Sequence, residues 1–407
     1  MGFITKNVPL HQTDIAFYLP TQIKFGLGIV EKLGLELQIE PDLAGCGRVV
    51  LVTDQGVASA GLVEKVEAGL ADSSYEIKAV FDAVPSDSDL NTVRELTQII
   101  QRHEANLIIA LGGGSVMDTA KAGSLIAAHG GEVRDYEGGF MVPGPCIPIV
   151  TIPTTTGTGS EVSLGLVIKD REARSKITVV SPFLFPRLAV LDPEMVKTLP
   201  PKLVAWTGMD ALTHAIEVYV STEHAPISEA LAFRVVEMIF DNLEAAVKNS
   251  DSLDARAKMQ LAATMAGMAM SNAGLGATHA INHTVGAMFG VHHGLGNAVA
   301  LPEVMKYNLE TCPERFASLA RAMGVTQTDL SDEELGQLAI ERVRGLRQVL
   351  GIPERYSDLG VPTDDATIEA IAEGAMNDPM LAFNPRKTEL RDMKPLVAKT
   401  LRNGAEG

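Results

Sequence analysis

Six residues in the second half of the chain have the types and the spacing of metal ligands. Asp210 and His214 lie four positions apart in the segment DALTH. His279 and His283 repeat that spacing in HAINH, and two adjacent histidines follow in GVHHGLG. On a helix, residues four positions apart project from one face, so each pair offers two donors from one rigid element. The pattern predicts a metal site built from both pairs and a trailing histidine.

The donor types limit the metal without choosing one. Five of the nine histidines in the chain belong to these motifs, whereas a lone histidine in an Ala-rich helix is more often a hydrogen-bonded core residue. Spacing alone leaves open which of His279 and His283, or of His292 and His293, binds the metal. Three imidazoles and one carboxylate suit Fe(II), Zn(II), Ni(II) or Mn(II).

A glycine-rich turn in the first half is placed as a phosphate-binding loop would be. The sequence GGGS, Gly112 to Ser115, follows the apolar run NLIIAL and precedes the helical pattern VMDTAKAGSLIAAH. A strand, a glycine loop and a helix N-terminus in that order direct free backbone N–H groups and the positive end of the helix dipole toward a phosphate. Three glycines alone are equally consistent with a tight turn, so the order of the elements carries the prediction.

Two further segments predict contacts to the rest of a nucleotide. Asp54 directly follows the strand-like run RVVLVT, and open α/β sheets bind ligands at the carboxyl ends of their strands. An acid there accepts hydrogen bonds from ribose hydroxyls and repels a 2′-phosphate, which favours NAD over NADP; the alternative is that Asp54 caps the next turn. Residues 151–161, TIPTTTGTGSE, offer hydroxyl groups to a phosphate or carboxamide, and the alternative is an ordinary Thr/Gly turn.

The elements that must position these residues change character near residue 192. Before it, short β-branched runs alternate with helical patterns, which predicts an α/β domain with a mainly parallel, Rossmann-like sheet. The predicted strands are 48–53, 106–111, 146–152 and 188–191, and the predicted helices are 62–71, 90–103 and 116–129. After it, we predict helices at 202–220, 228–249, 253–272, 333–350 and 365–375.

This change predicts two domains. Residues 1–191 would form the α/β dinucleotide-binding domain, and residues 192–407 an all-α domain that binds the metal and the substrate, with the active site in the cleft between them. The boundary falls where the last apolar run meets Pro193, which cannot continue a strand ladder. The Met-rich run at 259–270 is interpreted as close-packed helix core rather than as a cofactor site.

The composition excludes several classes of function. The 407 residues include 34 Lys and Arg against 51 Asp and Glu, a formal net charge of −17. Such a charge repels nucleic-acid phosphates and anionic lipid surfaces, so no nucleic-acid or membrane partner is expected. Three scattered cysteines argue against a disulfide framework. The apolar stretch 261–270 is about half of the roughly 20 residues that span a bilayer, and we expect a cytoplasmic protein.

These motifs together resemble the iron-containing (group III) alcohol dehydrogenase family, which shares its fold with dehydroquinate synthase and glycerol dehydrogenase. The resemblance covers nearly the whole chain. It is carried by LPTQIKFGLG, GGGSVMDTAK, TIPTTTGTGSEV, TGMDALTHAIEVYVS, NAGLGATHAINHTVGAMFGVHHGLGN and NDPMLAFNPR. The fold expected from it is the dehydroquinate synthase-like arrangement of an α/β and a helical domain.

The resemblance also implies roles for individual residues. The family's metal ligands fall on Asp210, His214, His279 and His293, and its proton-relay histidine, beside the substrate, falls on His283. Ser86 stands where relatives often carry Asn, which leaves that cofactor contact in doubt. The implied cofactor-binding residues are Asp54, Gly113, Gly114, Ser115, Asp118, Thr154, Thr155, Thr158 and Lys176.

The activity implied is hydride transfer between a primary alcohol and the nicotinamide of NAD(H) at a divalent metal, Fe(II) first among the candidates. Small or apolar residues near the ligand motifs, such as Leu275 and Phe289, suggest a short alcohol or aldehyde. A hydroxyacid–oxoacid transhydrogenase with tightly held NAD would share these motifs. A dehydroquinate synthase-like elimination should need Lys and Arg near the metal, and 207–217 and 274–297 contain none. A third alternative is a nucleotide-binding regulatory or structural protein with a vestigial site.

Relatives are commonly dimers or larger assemblies, so we also expect a homo-oligomer. Residues 15–28 are predicted to form an extended hairpin that could pair with the edge of a partner's sheet.

Overall fold

The computed structural model describes residues 16–173, 175–249 and 252–402. The chain divides into two compact units. One consists of Leu19–Pro200 with Ser250–Thr264, and the other of Met1–Tyr18, Pro201–Asn249 and Met265–Gly407. We call them the α/β unit and the helical unit. The predicted domain limit at residue 191 stays a prediction.

The α/β unit is built on two sheets. Their strands are β1 Gln22–Phe25, β2 Arg48–Val52, β3 Glu76–Phe81, β4 Leu107–Gly112, β5 Gly138–Gly139, β6 Ile149–Pro153, β7 Gly165–Asp170, β8 Ser175–Val180 and β9 Leu188–Leu191. The larger sheet is parallel and six-stranded, in the order β1-β9-β6-β4-β2-β3. The smaller sheet has the order β5-β8-β7, in which β7 and β8 are antiparallel. Strands β9, β6 and β4 are buried along their whole length, as expected when helices cover both faces of a parallel sheet.

The helices of the α/β unit follow the strands. They are α1 Leu33–Gln38, α2 Gln55–Ser59, α3 Leu62–Leu70, α4 Leu90–Arg102 and α5 Gly114–His129. α5 begins directly after β4, which confirms the predicted order of strand, glycine loop and helix. Strands β3, β7 and β8 were not predicted, because their residues are only partly buried and carry lysines that interrupt the apolar pattern.

The described part of the helical unit is built from α-helices and short 3₁₀ turns. Its helices are α6 Pro201–Val220, α7 Pro226–Lys248, α8 Leu253–Ala273 (which begins in the α/β unit), α9 Ala277–Phe289, α10 His293–Leu309, α11 Pro313–Ala322, α12 Asp332–Val349, α13 Asp365–Met376 and α14 Leu390–Leu401. The sequence pattern did not predict α9 and α10 as elements, because histidines, glycines and Pro302 mask their apolar faces. The predicted fold class, a parallel α/β domain followed by a helical one, is confirmed.

The N-terminal segment differs from its prediction. Residue 15 lies outside the described residues, and residues 16–28 contain one strand, β1, instead of a hairpin. β1 pairs in parallel with β9, with Gln22 beside Leu188 and Phe25 beside Leu191. Of the helices that the structure describes, none is long and apolar enough to span a membrane.

Candidate metal centre and cofactor loops

Helix α6 provides two donors of the candidate metal centre. It is buried along most of its length, so it needs apolar residues all round and tolerates polar ones only where they have partners. Asp210 and His214 are such residues, with 2% and 3% of their surfaces exposed. Their four-residue spacing places the Asp210 Oδ1 atom 3.9 Å from the His214 Nε2 atom.

Helices α9 and α10 bring the remaining donors to the same point. The Asp210 Oδ1 atom lies 3.9 Å from the His279 Nε2 atom and 3.6 Å from the His293 Nε2 atom. One donor atom from each of the four residues lies within 4.8 Å of the others. Three imidazoles and a carboxylate that converge in this way, three of the four residues being buried, fit a divalent transition metal. The structure thus brings together the four residues that the resemblance implies as metal ligands.

The two other histidines of the motifs have different surroundings. The His283 Nδ1 atom lies 2.7 Å from the Asp378 Oδ2 atom, and the His283 ring stacks on His293 at 5.4 Å. Burial raises the pKa of the Asp378 carboxyl, but the charge and hydrogen bond of His283 outweigh it and leave that pKa below its ordinary value. The His292 ring packs against Trp206, at 4.9 Å between centroids. Neither histidine belongs to the converging group of four.

A buried carboxylate that sequence reasoning missed supports His279. The Glu217 Oε2 atom lies 2.6 Å from the His279 Nδ1 atom. Burial lowers the pKa of the His279 imidazole, yet the hydrogen bond and charge of Glu217 outweigh it and raise that pKa. Burial raises the pKa of the Glu217 carboxyl, and the hydrogen bond from His279 overrides it, so this pKa is lowered. The available signal was its position, seven residues after Asp210 on the same face of α6.

An asparagine amide also reaches the donor group. The Asn297 Nδ2 atom donates to Asp210 Oδ1 at 2.7 Å and lies 3.0 Å from the His279 Nε2 atom and 3.3 Å from the His293 Nε2 atom. Asn297 is four residues after His293 on α10, and that spacing was the signal that could have found it. The NH₂ group of Asn297 thus lies among the lone pairs of the Asp210 oxygen and the two histidine nitrogens, which would otherwise repel one another.

The glycine loop and the threonine-rich loop pack directly against each other. A Cβ atom on Gly113 would lie 2.8 Å from the Thr155 methyl carbon, and one on Gly114 would lie 3.0 Å from that of Thr158. The Thr154 N–H donates to the Gly112 carbonyl at 3.0 Å. Because α5 starts here with no side-chain cap, its N-terminus together with two threonines forms a surface suited to a phosphate.

Charged residues surround the start of α5. The Ser115 hydroxyl accepts a hydrogen bond from the Asp87 N–H at 3.1 Å. The Lys176 and Lys169 ammonium groups each lie 3.2 Å from the Asp87 carboxylate. Burial raises the pKa of this carboxyl, but the charge of Lys176 and the hydrogen bond from Lys169 outweigh it, so the pKa is lowered. Asp87 was not predicted, and nothing in its sequence context marks it.

Two other predicted cofactor residues make bonds within the protein. The Asp54 Oδ1 atom accepts from the Val57 N–H at 2.9 Å and caps α2, which is the alternative that the sequence left open. The Asp118 carboxylate accepts from the Ser160 hydroxyl at 2.8 Å and from the Val167 N–H at 3.0 Å. Asp118, which lies on α5, therefore links that helix to the threonine-rich loop and to β7.

Comparison with known proteins identifies the family. The sequence-family model for iron-containing alcohol dehydrogenases matches residues 20–193. A second family model, for the C-terminal part of the Fe-containing alcohol dehydrogenase family, matches residues 204–401. An NAD-dependent methanol dehydrogenase from Bacillus methanolicus is 35% identical over 385 residues, 95% of this chain and 99% of that protein. A lactaldehyde reductase from Escherichia coli (strain K12) is 37% identical over 374 residues, 91% and 96% of the two chains.

A solved structure agrees with these relatives. The crystal structure of a 1,3-propanediol oxidoreductase superposes with a TM-score of 0.91 at 34% identity, covering 96% of this chain and 100% of that one. This chain belongs to the iron-containing alcohol dehydrogenase family. It is an enzyme, an oxidoreductase of the alcohol and aldehyde type.

Proposed function

We propose that the protein is a metal-dependent, NAD(H)-linked alcohol dehydrogenase and aldehyde reductase that acts on short primary alcohols and aldehydes. The observation that carries the proposal is the convergence of one donor atom each from Asp210, His214, His279 and His293. The relatives named for methanol, lactaldehyde and 1,3-propanediol support the substrate class. The methanol enzyme's NAD dependence supports the cofactor.

Each unit contributes its own residues to this function. The four donors would hold a divalent metal, which when bound polarises the oxygen of the alcohol or aldehyde. The single carboxylate among three neutral imidazoles leaves the site cationic with a divalent ion in place, and Asn297 holds that carboxylate through its amide N–H. NAD(H) supplies the hydride chemistry when bound.

His283 is the residue we propose for proton transfer. The Asp378 carboxylate accepts from its Nδ1, which leaves the Nε2 lone pair as the base. The His283 side chain is 18% exposed, so a proton taken from a hydroxyl at Nε2 can pass on to solvent. Asp378 fixes the ring orientation and stabilises the imidazolium that forms.

The α/β unit holds the residues proposed for the cofactor. The N-terminus of α5, with Gly113, Gly114 and Ser115, would bind the phosphates through backbone N–H groups and the helix dipole. Thr154, Thr155 and Thr158 lie on the facing loop. Lys176 pairs with Asp87, whose N–H donates to the Ser115 hydroxyl. Asp54 caps α2 through Oδ1, and the other oxygen of its carboxylate would accept the ribose hydroxyls and exclude a 2′-phosphate, which favours NAD.

The test is metal-restored turnover. Protein stripped by a chelator is resupplied anaerobically with Fe(II), Zn(II), Mn(II) or Ni(II), and loss of NADH absorbance is followed with a panel of short aldehydes. We expect turnover that returns with metal and is abolished by His279→Ala. His129→Ala is the matched control, since His129 bonds the Gly144 carbonyl and lies outside the donor group. Tight NADH binding without turnover would instead favour a transhydrogenase.

A further inference from the structure

The Glu217 carboxylate accepts hydrogen bonds from three N–H groups at once. Asp210, His214 and Glu217 follow one another along one face of α6. The Glu217 Oε2 atom accepts from His279 Nδ1 at 2.6 Å and from the Gly276 N–H at 3.0 Å, and its Oε1 atom accepts from the Thr278 N–H at 2.7 Å. Only 3% of its surface is exposed, so both oxygens are used inside the protein.

The start of α9 is shaped to admit this carboxylate. Gly276, the residue before the helix, makes no side-chain cap bond. A Cβ atom there would lie 3.0 Å from Glu217 Oε1, so glycine leaves the room that the carboxylate occupies. Glu217 therefore caps α9 from another helix: its carboxylate accepts from the Gly276 and Thr278 N–H groups, at the positive end of the helix that carries His279.

We propose that Glu217 is a positioning residue of the metal centre, which holds His279 as the Nδ1-protonated tautomer with its Nε2 lone pair directed at the other donors. The inference rests on the proposed function, because it concerns the affinity of the same metal site. A ligating histidine is commonly oriented by a carboxylate on its second nitrogen, and loss of that partner costs about 10- to 100-fold in metal affinity. The same carboxylate sets the position of α9 itself.

Glutamine cannot replace Glu217, although it has the same size. Three N–H donors face the two carboxylate oxygens, whereas an amide offers one oxygen and one NH₂ group. If the NH₂ group faces His279, the ring carries its proton on Nε2, and the metal loses that lone pair. If the oxygen faces His279, the NH₂ group meets the Thr278 N–H, and the start of α9 is disturbed.

The experiment measures Zn(II) affinity of the metal-free full-length protein. The dissociation constant is obtained by competition with a chromophoric chelator and by the fluorescence of Trp206, the chain's single tryptophan, four residues before Asp210. We expect Glu217→Gln to weaken Zn(II) binding about 10- to 100-fold. The matched control is Glu229→Gln on α7, where Glu229 is also buried but pairs with Arg315 at 2.6 Å; its Zn(II) affinity should equal that of the wild type.

A double variant separates positioning from general destabilisation. If Glu217 acts through His279, Glu217→Gln adds no further loss of Zn(II) affinity to His279→Ala. Full additivity, or a Glu217→Gln protein that binds Zn(II) as the wild type does, would overturn the inference. A wild-type protein that binds no Zn(II) would instead refute the proposed function. If Glu217→Gln does not fold, Gly276→Ala serves as the second variant, and it should weaken Zn(II) binding by displacing the carboxylate.

Discussion

Lys121→Met should destabilise the α/β unit, because this lysine joins α5 to the threonine-rich loop from a fully buried position. Its ammonium group donates to the carbonyls of Ser160, Ser163 and Gly165 at 2.8, 3.0 and 2.9 Å. It also contacts both serine hydroxyls at 3.0 Å. Burial lowers the pKa of this ammonium to about 8, so the group is still mainly charged at neutral pH.

The magnitude follows from the groups that lose their donor. Methionine has nearly the same length but cannot donate, and three buried carbonyls are left without the ammonium. Each unsatisfied buried acceptor costs about 1–3 kcal/mol, while the two hydroxyls can turn to other partners. The ammonium group also interacts electrostatically with the carboxyl groups of Asp118 and of the buried Glu161. Removing one member of a buried charge network costs about 3–5 kcal/mol, and we expect the free energy of unfolding to fall by that amount.

Urea unfolding at neutral pH, followed by circular dichroism, measures this loss. Lys65→Met is the control, because Lys65 is exposed and its 3.3 Å contact with Glu194 lies at the surface; its effect should stay below about 1 kcal/mol. Fluorescence titration should also show weaker NADH binding by Lys121→Met, since the threonine-rich loop loses its anchor. Equal stability of the Lys121→Met and Lys65→Met proteins would refute the reasoning.

Three other predictions concern separate parts of the molecule. Asp89 caps α4 and pairs with Arg171; burial raises the pKa of its carboxyl, but hydrogen bonds from Thr92 and Arg171 outweigh this and leave that pKa below its ordinary value. Asparagine caps a helix about as well as aspartate, so Asp89→Asn should lose mainly the carboxylate charge facing Arg171 and the helix N-terminus, and should cost about 1 kcal/mol in urea unfolding at neutral pH. The difference from wild type should shrink as pH falls below about 4; a difference independent of pH would contradict this. Adding Zn(II) at a hundredfold excess over its dissociation constant should stabilise the stripped protein by about 2.7 kcal/mol and change Trp206 fluorescence, and chelator should reverse both; an unchanged melting temperature would contradict it. Gly113→Ala places a Cβ 2.8 Å from a threonine methyl of the facing loop, so NADH affinity measured by fluorescence should fall about tenfold, or about 1.4 kcal/mol, whereas unchanged affinity would show that the loops separate freely.

Local patterns were enough to predict the parts of the fold that depend on neighbouring residues. The continuous apolar run of β4 is typical of a strand covered on both faces, and the glycines after it mark the start of α5. Strands β3, β7 and β8 escaped prediction because each carries a lysine, so no continuous apolar run marks them in the sequence. Periodicity alone did not show helices α9 and α10. The family resemblance nevertheless indicated which of their histidines are the candidate metal ligands, His279 and His293.

The sequence by itself determined the set of candidate metal donors, because donor types and four-residue spacing are properties of a single helix. Tertiary structure alone decided which of those donors join the converging group and which have other partners. Glu217 bonds the Nδ1 atom of His279, whereas Asp378 bonds the Nδ1 atom of His283, although the two histidines lie on one helix. Each pair joins residues more than sixty positions apart, and no local pattern encodes such a meeting; it arises only when buried helices pack and every buried polar group must find a partner.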